Sequence, residues 1–451
     1  MTNCILLVLS ALVWAGTATA ENTPLSAIDW LRNSSTVEQP NAVKPTAIGD
    51  IMGILEPDVL QADAGFWADT DPDRLQALGQ SFPQSPLPVL ADLAQRLVLA
   101  RLAAPQDVNQ ARIAFLMTRG ALDAAWVMAR PLATDVAYFD MARDIAVLSG
   151  HDREICQIWA DHPGWDHGDA VTQIYCLTAT DQWDAAALAL ITRDALGDLT
   201  PVQSTLLTVH IDPDLAEGTN APNIPPSNMT PLLFRLAESA GYIQPTRPLP
   251  LPYAVADLRD TRGWKSQLNA AERLYKAGSL TGNELWGIYA KQTPSASGGI
   301  WDRAQAMQDM RANPGPKPAQ TLWDVMHPVG LTMAAAQIFA DDMIALPSSP
   351  AAQHMAILAT TPPMTVDQIT TALPNANPQT IAAITAGLTA DIPPRRVIAQ
   401  AILDILDMAP RIQERDLNAL IDAIGQLKAL GLDRDAQALA LQYVVLIDPK
   451  T

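Results

Sequence analysis

The sequence predicts an all-α protein whose helical hairpins stack into an α-solenoid-like array. Three observations carry this expectation. The first is composition: Ala, Leu, Asp and Gln fill the periodic segments, aromatics make up 5% of the chain, and runs rich in Val, Ile, Thr and Tyr are nearly absent. Unbranched side chains lose little rotamer freedom on a helix, whereas strands favour β-branched and aromatic ones. The second is a pattern. Apolar residues at helical spacing run through Val108–Met117, break at Gly120, and resume over Leu122–Ala129. The same shape recurs as Val136–Leu148, Gly150 and Ile155–Ala160, then as Val171–Ala179, Asp181 and Trp183–Ile191. The third is the period, because the breaks lie 30 and 31 residues apart (150−120 and 181−150). A helical hairpin cannot bury its apolar faces alone, and stacking on neighbours solves that.

The chain begins with an apolar run, Ile5–Ala15, followed by Ala18-Thr19-Ala20 before Glu21. This reads as a secretory signal peptide over residues 1–20, removed on export. The run is short for a membrane span, so no membrane insertion is expected after its removal. A short apolar segment, Leu25 to Leu31, then leads into an aperiodic linker, so 21–50 form an N-terminal segment. The hairpin domain is expected over 51–211, with its first forty residues wrapped onto the body. In the turns, Asp123 and Asp184 are expected to cap the helices that follow. Residues 212–252 are dense in proline and read as breaks around a short helix at 231–240. A second helical block spans 253–312. The Pro-rich stretch Asn313–Pro318 separates it from a third, 320–451, with helices at Gln379–Leu388, Arg395–Met408, Asp416–Leu430 and Asp435–Ile447.

The length allows two or three domains, and 49% hydrophobic content supplies a packed core. A net charge of −19 repels phosphate backbones and anionic lipid, which argues against nucleic acid as a partner. Cys4 leaves with the leader. Cys156 and Cys176 then remain in an oxidising compartment, at matching heights on consecutive antiparallel helices, and a disulfide between them is expected. The preference for Arg over Lys, with much Ala and Pro, points to a GC-rich bacterial source and a periplasmic location.

The 106–195 units resemble tetratricopeptide-like repeats in style, without that family's full consensus. A second resemblance rests on Leu258-Arg259-Asp260, Gly263-Trp264-Lys265, Ala270–Leu274, Ala296–Gly299 and Trp301-Asp302-Arg303. These residues are similar to a family of secreted, Ala-rich helical proteins of alphaproteobacteria with no assigned activity. The resemblance implies a helical fold and export, and it brings no catalytic residues. Glu238-Ser239 followed by Gly241–Pro245 resembles the catalytic segment of lytic transglycosylases, although here the two parts adjoin and the loop between them is missing.

Three further places hold chemistry-bearing residues. The loop Asp161–Asp169 gathers His162, His167 and three carboxylates, but its spacing matches no metal motif, so no metal or other cofactor is expected. The Ser297-Gly298-Gly299 loop runs into a helix whose free N–H groups suit an anion. No P-loop, G-x-G-x-x-G, H-E-x-x-H, C-x-x-C or G-x-S-x-G occurs. The segment 257–303 concentrates basic and indole side chains in an acidic chain. Arg259, Arg262, Trp264, Lys265, Arg273, Ser297, Gly298, Gly299, Trp301 and Arg303 are its candidate binding residues, since Arg and Trp dominate interaction hot spots. The other outcome is that these charges pair with Asp257, Asp260 and Glu272 while the Trp residues fill the core. The functional expectation is a non-catalytic adaptor or scaffold that binds protein partners, or a glycan, in the cell envelope. The alternative is an envelope enzyme, or a peptidoglycan-associated protein, with its site near 238–303.

Overall fold

The computed structural model describes residues 51–60, 62, 63, 65–163, 165 and 169–448. The leader at 1–20 and the linker at 21–50 lie outside the described residues, as do Asp166 and His167. Helices provide nearly all the regular structure. One two-stranded sheet occurs among the described residues, β1 (Ile51–Met52) antiparallel to β2 (Leu102–Ala103), with Ile51 opposite Ala103.

Between the strands lie α1 (Pro72–Ser81) and α2 (Pro88–Leu99). The hairpin region follows as α3 (Gln106–Arg119), α4 (Leu122–Ala129), α5 (Val136–Ser149), α6 (Asp152–Ala160), α7 (Ala170–Ala179), α8 (Trp183–Leu196) and α9 (Pro201–Ile211). Each of these helices touches the next. The predicted breaks fall between helices for a backbone reason. Gly120, Gly150 and Asp181 all take left-handed φ angles, of 78°, 90° and 65°. That conformation ends a helix and suits glycine, and it is tolerated by Asp. Asp135 and Asp169 cap α5 and α7 by accepting backbone N–H groups. The capping expected of Asp123 and Asp184 does not occur. Both sit inside the first turn, behind Ala121 and Gln182, where their charge complements the helix dipole instead.

α10 (Pro231–Ser239) lies among the prolines and packs on α5 and α9. A 3₁₀ helix, Leu251–Leu258, packs on α3, α5 and α11 (Trp264–Lys276). Next come α12 (Gly282–Tyr289), α13 (Ile300–Ala312), α14 (Pro316–Met326), α15 (Thr332–Ile338), α16 (Ala340–Ile344), α17 (Pro350–Thr360) and α18 (Val366–Ala372). The chain ends with α19 (Pro378–Thr389), α20 (Ala399–Leu406), α21 (Ala409–Gln413), α22 (Leu417–Ala429) and α23 (Asp433–Leu446). α20 starts later than Arg395 because residues 391–398 run without helix after the Pro393-Pro394 pair. There Arg395 N–H donates to the Ala429 carbonyl at 2.7 Å, and Ala399 N–H to that of Phe66 at 2.9 Å.

The beginning of the described chain is not a wrapping. Eight of the twelve residues of α2 are buried, and the helix packs against α3 on one side and α20 and α23 on the other. The C-terminal helices thus close onto the N-terminal ones. Val89 N–H donates to Gln442 Oε1 at 2.8 Å, and Arg74 pairs with Asp404 at 2.8 Å. Most buried apolar side chains from Ile54 to Val445 form one contiguous core, with a small satellite of Ala254, Ala270 and Leu274. Inside it, the guanidinium of Arg112 is wholly buried. It is satisfied by the carbonyls of Val98, Ala100 and Met52 and by Asn109 Oδ1, and it lies over the Trp67 ring. Burial pushes Arg112 down to about 9. No helix among the described residues is long and apolar enough to cross a membrane.

Candidate functional site

Cys156 on α6 and Cys176 on α7 are joined by a disulfide with their Cα atoms 4.8 Å apart. The bond closes the 161–169 connector. Within that connector His162 stacks on Trp165 and its Nδ1 lies 2.8 Å from the Ile158 carbonyl. Asp169 is occupied by the α7 cap and by Arg143 at 3.2 Å. Among the described residues no three His, Cys, Asp or Glu side chains come together as a metal set.

α10 is the electrostatic hub of the expected 238–303 region. Glu238, near its C-terminus, pairs with both Arg259 and Arg262. Arg259 also donates to the Leu148 carbonyl at 2.9 Å. Arg262 is buried, with its Nε 3.5 Å from Asp257. Arg273 is half-buried beside Thr246 at 3.5 Å, and burial lowers its pKa against the attraction of Asp257. Arg303 makes a two-pronged pair with buried Glu272, at 2.7 Å on each oxygen, while Tyr289 donates to the same carboxylate at 2.7 Å. Trp264 is buried, donates its indole N–H to the Ile288 carbonyl at 2.8 Å, and packs on half-buried Trp301 at 5.2 Å. Thus the charges of Arg259, Arg262 and Arg303 are met within the fold, by Glu238, Asp257 and Glu272. Lys265 is exposed on the first turn of α11.

The Ser297–Gly299 loop is also exposed. Its Gly298 N–H is already engaged, donating to Asp302 Oδ1 at 2.8 Å. The N-cap residue Gly299 itself has no side-chain cap.

A second polar cluster flanks the hub. Asp152 accepts from Arg235 at 3.0 Å and from the Tyr175 hydroxyl. The His210 ring stacks on Tyr175, with Nε2 2.8 Å from Thr178 Oγ1 and Nδ1 2.8 Å from Ser239 Oγ. Burial, then the charge of Arg235, push His210 down to about 4. A Ser–His pair can serve nucleophilic catalysis, but Ser239 closes α10 at its carbonyl end and donates to the Leu236 carbonyl at 2.8 Å. A developing oxyanion needs N–H donors, and a helix C-terminus presents the opposite dipole. Glu238, the residue matching the transglycosylase pattern, is held between two guanidiniums.

The concavity lies elsewhere. A cleft of about 270 Å³ opens between three segments. One wall is the approach to α2 (Ser85 to Gln95), the second the α11–α12 turn (Tyr275 to Asn283), the third α15 with Gly330 before it. Arg119 holds two walls together from behind. It donates to the Pro83 carbonyl at 2.9 Å and the Ala277 carbonyl at 3.0 Å, while Ser279 Oγ donates to the Arg119 carbonyl at 2.5 Å. Gln95 donates to the Gly278 carbonyl. Gly278 is required there: its φ is 84°, and a Cβ would stand 3.3 Å from that of Ala91. Lys276, on the second wall, has no carboxylate among the described residues within ion-pair distance. Lys276 lies within the basic 257–303 segment, but the cleft is not visible in the sequence, because its walls come from segments more than forty residues apart.

No protein family, curated protein or solved structure matches this chain.

Proposed function

We propose that this chain is an exported, non-catalytic helical scaffold that seats an acidic segment of a protein partner in the cleft between α2, the α11–α12 turn and α15. The observation that carries this reading is the contrast among its cations. Arg259, Arg262 and Arg303 are neutralised inside the fold, whereas Lys276 stands in a concavity without an ion pair among the described residues; Asp92, which lines the same cleft, pairs with Arg96 instead. Asn283 and Gln337 line the same cleft and supply donors for a carboxylate. Stacked hairpins over α3–α9, each helix packed on the next, support the repeat-array reading, and such arrays present extended protein-binding surfaces. The Cys156–Cys176 bond fits an oxidising compartment, which supports export to the periplasm.

The test is charge reversal in the native host. Lys276→Glu, with helical content unchanged by circular dichroism, should abolish the partner adduct formed by a lysine-independent crosslinker. Unchanged adduct formation would remove the cleft from the account.

A further inference from the structure

The solvent face of α11 is basic in a chain that is strongly acidic. Its buried residues, from Trp264 to Leu274, take up one side of the helix. Lys265, Ser266, Asn269, Arg273 and Lys276 are exposed or half-buried. At 3.6 residues per turn they fall in one stripe about 100° wide. That stripe holds three cations and no carboxylate, although the chain has 48 Asp and Glu against 29 Lys and Arg. None of the three has an ion pair among the described residues. Arg273 makes one polar contact, to Thr246 Oγ1 at 3.5 Å. Arg247, exposed on the turn beside Thr246, is a fourth cation without an ion pair among the described residues. Burial lowers the Arg273 pKa; Asp257 opposes the shift, and the nearby charge of Arg247 adds to it. Asp257 is itself committed, to Thr246 and to Arg262.

We propose that the acidic partner segment seated in the cleft is an extended peptide that runs on along α11, from Lys276 past Arg273 and Arg247 to Lys265. This rests on the cleft reading for the class of occupant, and it adds a path and a length. Charge complementarity selects an anion, since unpaired cations on an acidic body form a local attractive field. Spacing selects a chain. Along the helix axis Arg273 lies about 4.5 Å from Lys276, and Lys265 ~12 Å further on. Cations so dispersed suit carboxylates strung along a polymer, whereas a single phosphate calls for convergent donors. The whole stripe is about 17 Å long, which an extended peptide covers with about six residues. The side chains select a peptide over an anionic glycan. Sugar-binding surfaces rely on aromatic rings that stack on sugar C–H faces, and this stripe carries none. Asn269 Nδ2 donates to the Lys265 carbonyl at 2.9 Å, which leaves its Oδ1 to accept a peptide N–H.

The experiment titrates fluorescein-labelled hexaglutamate with the chain from Glu21 to Thr451 and follows anisotropy. Lys265→Gln with Arg247→Gln, both at exposed positions, should weaken binding at least about threefold. Arg130→Gln with Arg153→Gln removes the same charge from exposed sites in the hairpin region and should leave the affinity within about 1.5-fold of wild type. Hexagalacturonate should compete more weakly than unlabelled hexaglutamate. Equal weakening by the two double variants would overturn the proposal in favour of non-specific attraction, and stronger competition by hexagalacturonate would overturn it in favour of a glycan. Absence of hexaglutamate binding would overturn it too. The Lys276→Glu variant separates this inference from the cleft reading. If it abolishes binding while Lys265→Gln with Arg247→Gln changes nothing, the cleft stands and the α11 path falls. If it binds as wild type while the double variant is weakened, the α11 face stands and the cleft falls.

Discussion

Arg96 and Asp435 lie 339 positions apart and meet at 2.6 Å, both largely buried. Asp92 shares the same guanidinium at 2.7 Å. Burial raises the Asp435 pKa even against this attraction, and the pair stands where α2 meets α23. An open array of hairpins has free ends. Here the last helix seals the second, so the C-terminal block holds one wall of the cleft in place.

Removing one partner of that pair should therefore be felt widely. Arg96→Ala leaves Asp435 desolvated without its cation, a loss of about 3 kcal/mol. The unfolding midpoint in urea should drop. Arg96→Met with Asp435→Leu should restore most of it, since packed apolar side chains replace such pairs at little cost. A double variant as weak as the single would show that the pair matters through something other than charge.

Glu238 predicts a sharper result. Its loss leaves Arg262, whose side chain is 5% exposed, with only the 3.5 Å contact to Asp257, beside Arg259. Glu238→Ala is expected to cost at least about 3 kcal/mol and to weaken the whole 238–262 region. Hydrogen exchange in α10 and in residues 251–262 would report it. Wild-type protection there would mean that Glu238 is not the hub.

His210 makes stability depend on pH in a stated direction. Its folded pKa is depressed to about 4, against ~6.5 in an unfolded chain. The unfolded state therefore binds the extra proton between those values. Stability is full above about pH 6.5 and falls as pH drops toward 4, by up to about 3 kcal/mol. His327 and His354 are also lowered by burial and add to the same trend. His210→Gln should flatten part of the curve from pH 6.5 to 4. An unaltered curve would show that His210 protonates freely in the fold.

The disulfide spans a separation of 20 residues. Cys156→Ser should lower stability by about 3 kcal/mol and loosen the 161–169 connector. A thiol titration of the unreduced, denatured chain from Glu21 to Thr451 should find no free cysteine. Two free thiols per chain would place the protein in a reducing compartment.

The helical breaks were legible because they depend on local backbone chemistry. Gly120, Gly150 and Asp181 each adopt the left-handed turn that their residue types suit. The Cys156–Cys176 pairing was legible for a similar reason, since consecutive antiparallel helices set their heights. Capping was misread at Asp123 and Asp184, because a helix can begin two residues earlier without a side-chain cap. The basic residues of 257–303 were visible as composition, but the partner of two of them was not. Glu238 lies 21 and 24 residues before Arg259 and Arg262, across a proline-rich turn whose path only the fold defines. The closure of α23 on α2, and the cleft it helps hold, depend on contacts over hundreds of residues, which no local pattern encodes.

The cleft is the centre of the account, and site-specific photo-crosslinking in intact cells tests it most directly. The crosslinker is placed at Asn283 or Gln337, on two walls of the cleft, and at exposed Gln305 on α13 as the reference. Adducts to one protein partner at both cleft positions, none at Gln305, and loss of both with Lys276→Glu are predicted. Equal adducts at all three positions, or adducts at the cleft that survive Lys276→Glu, would contradict it.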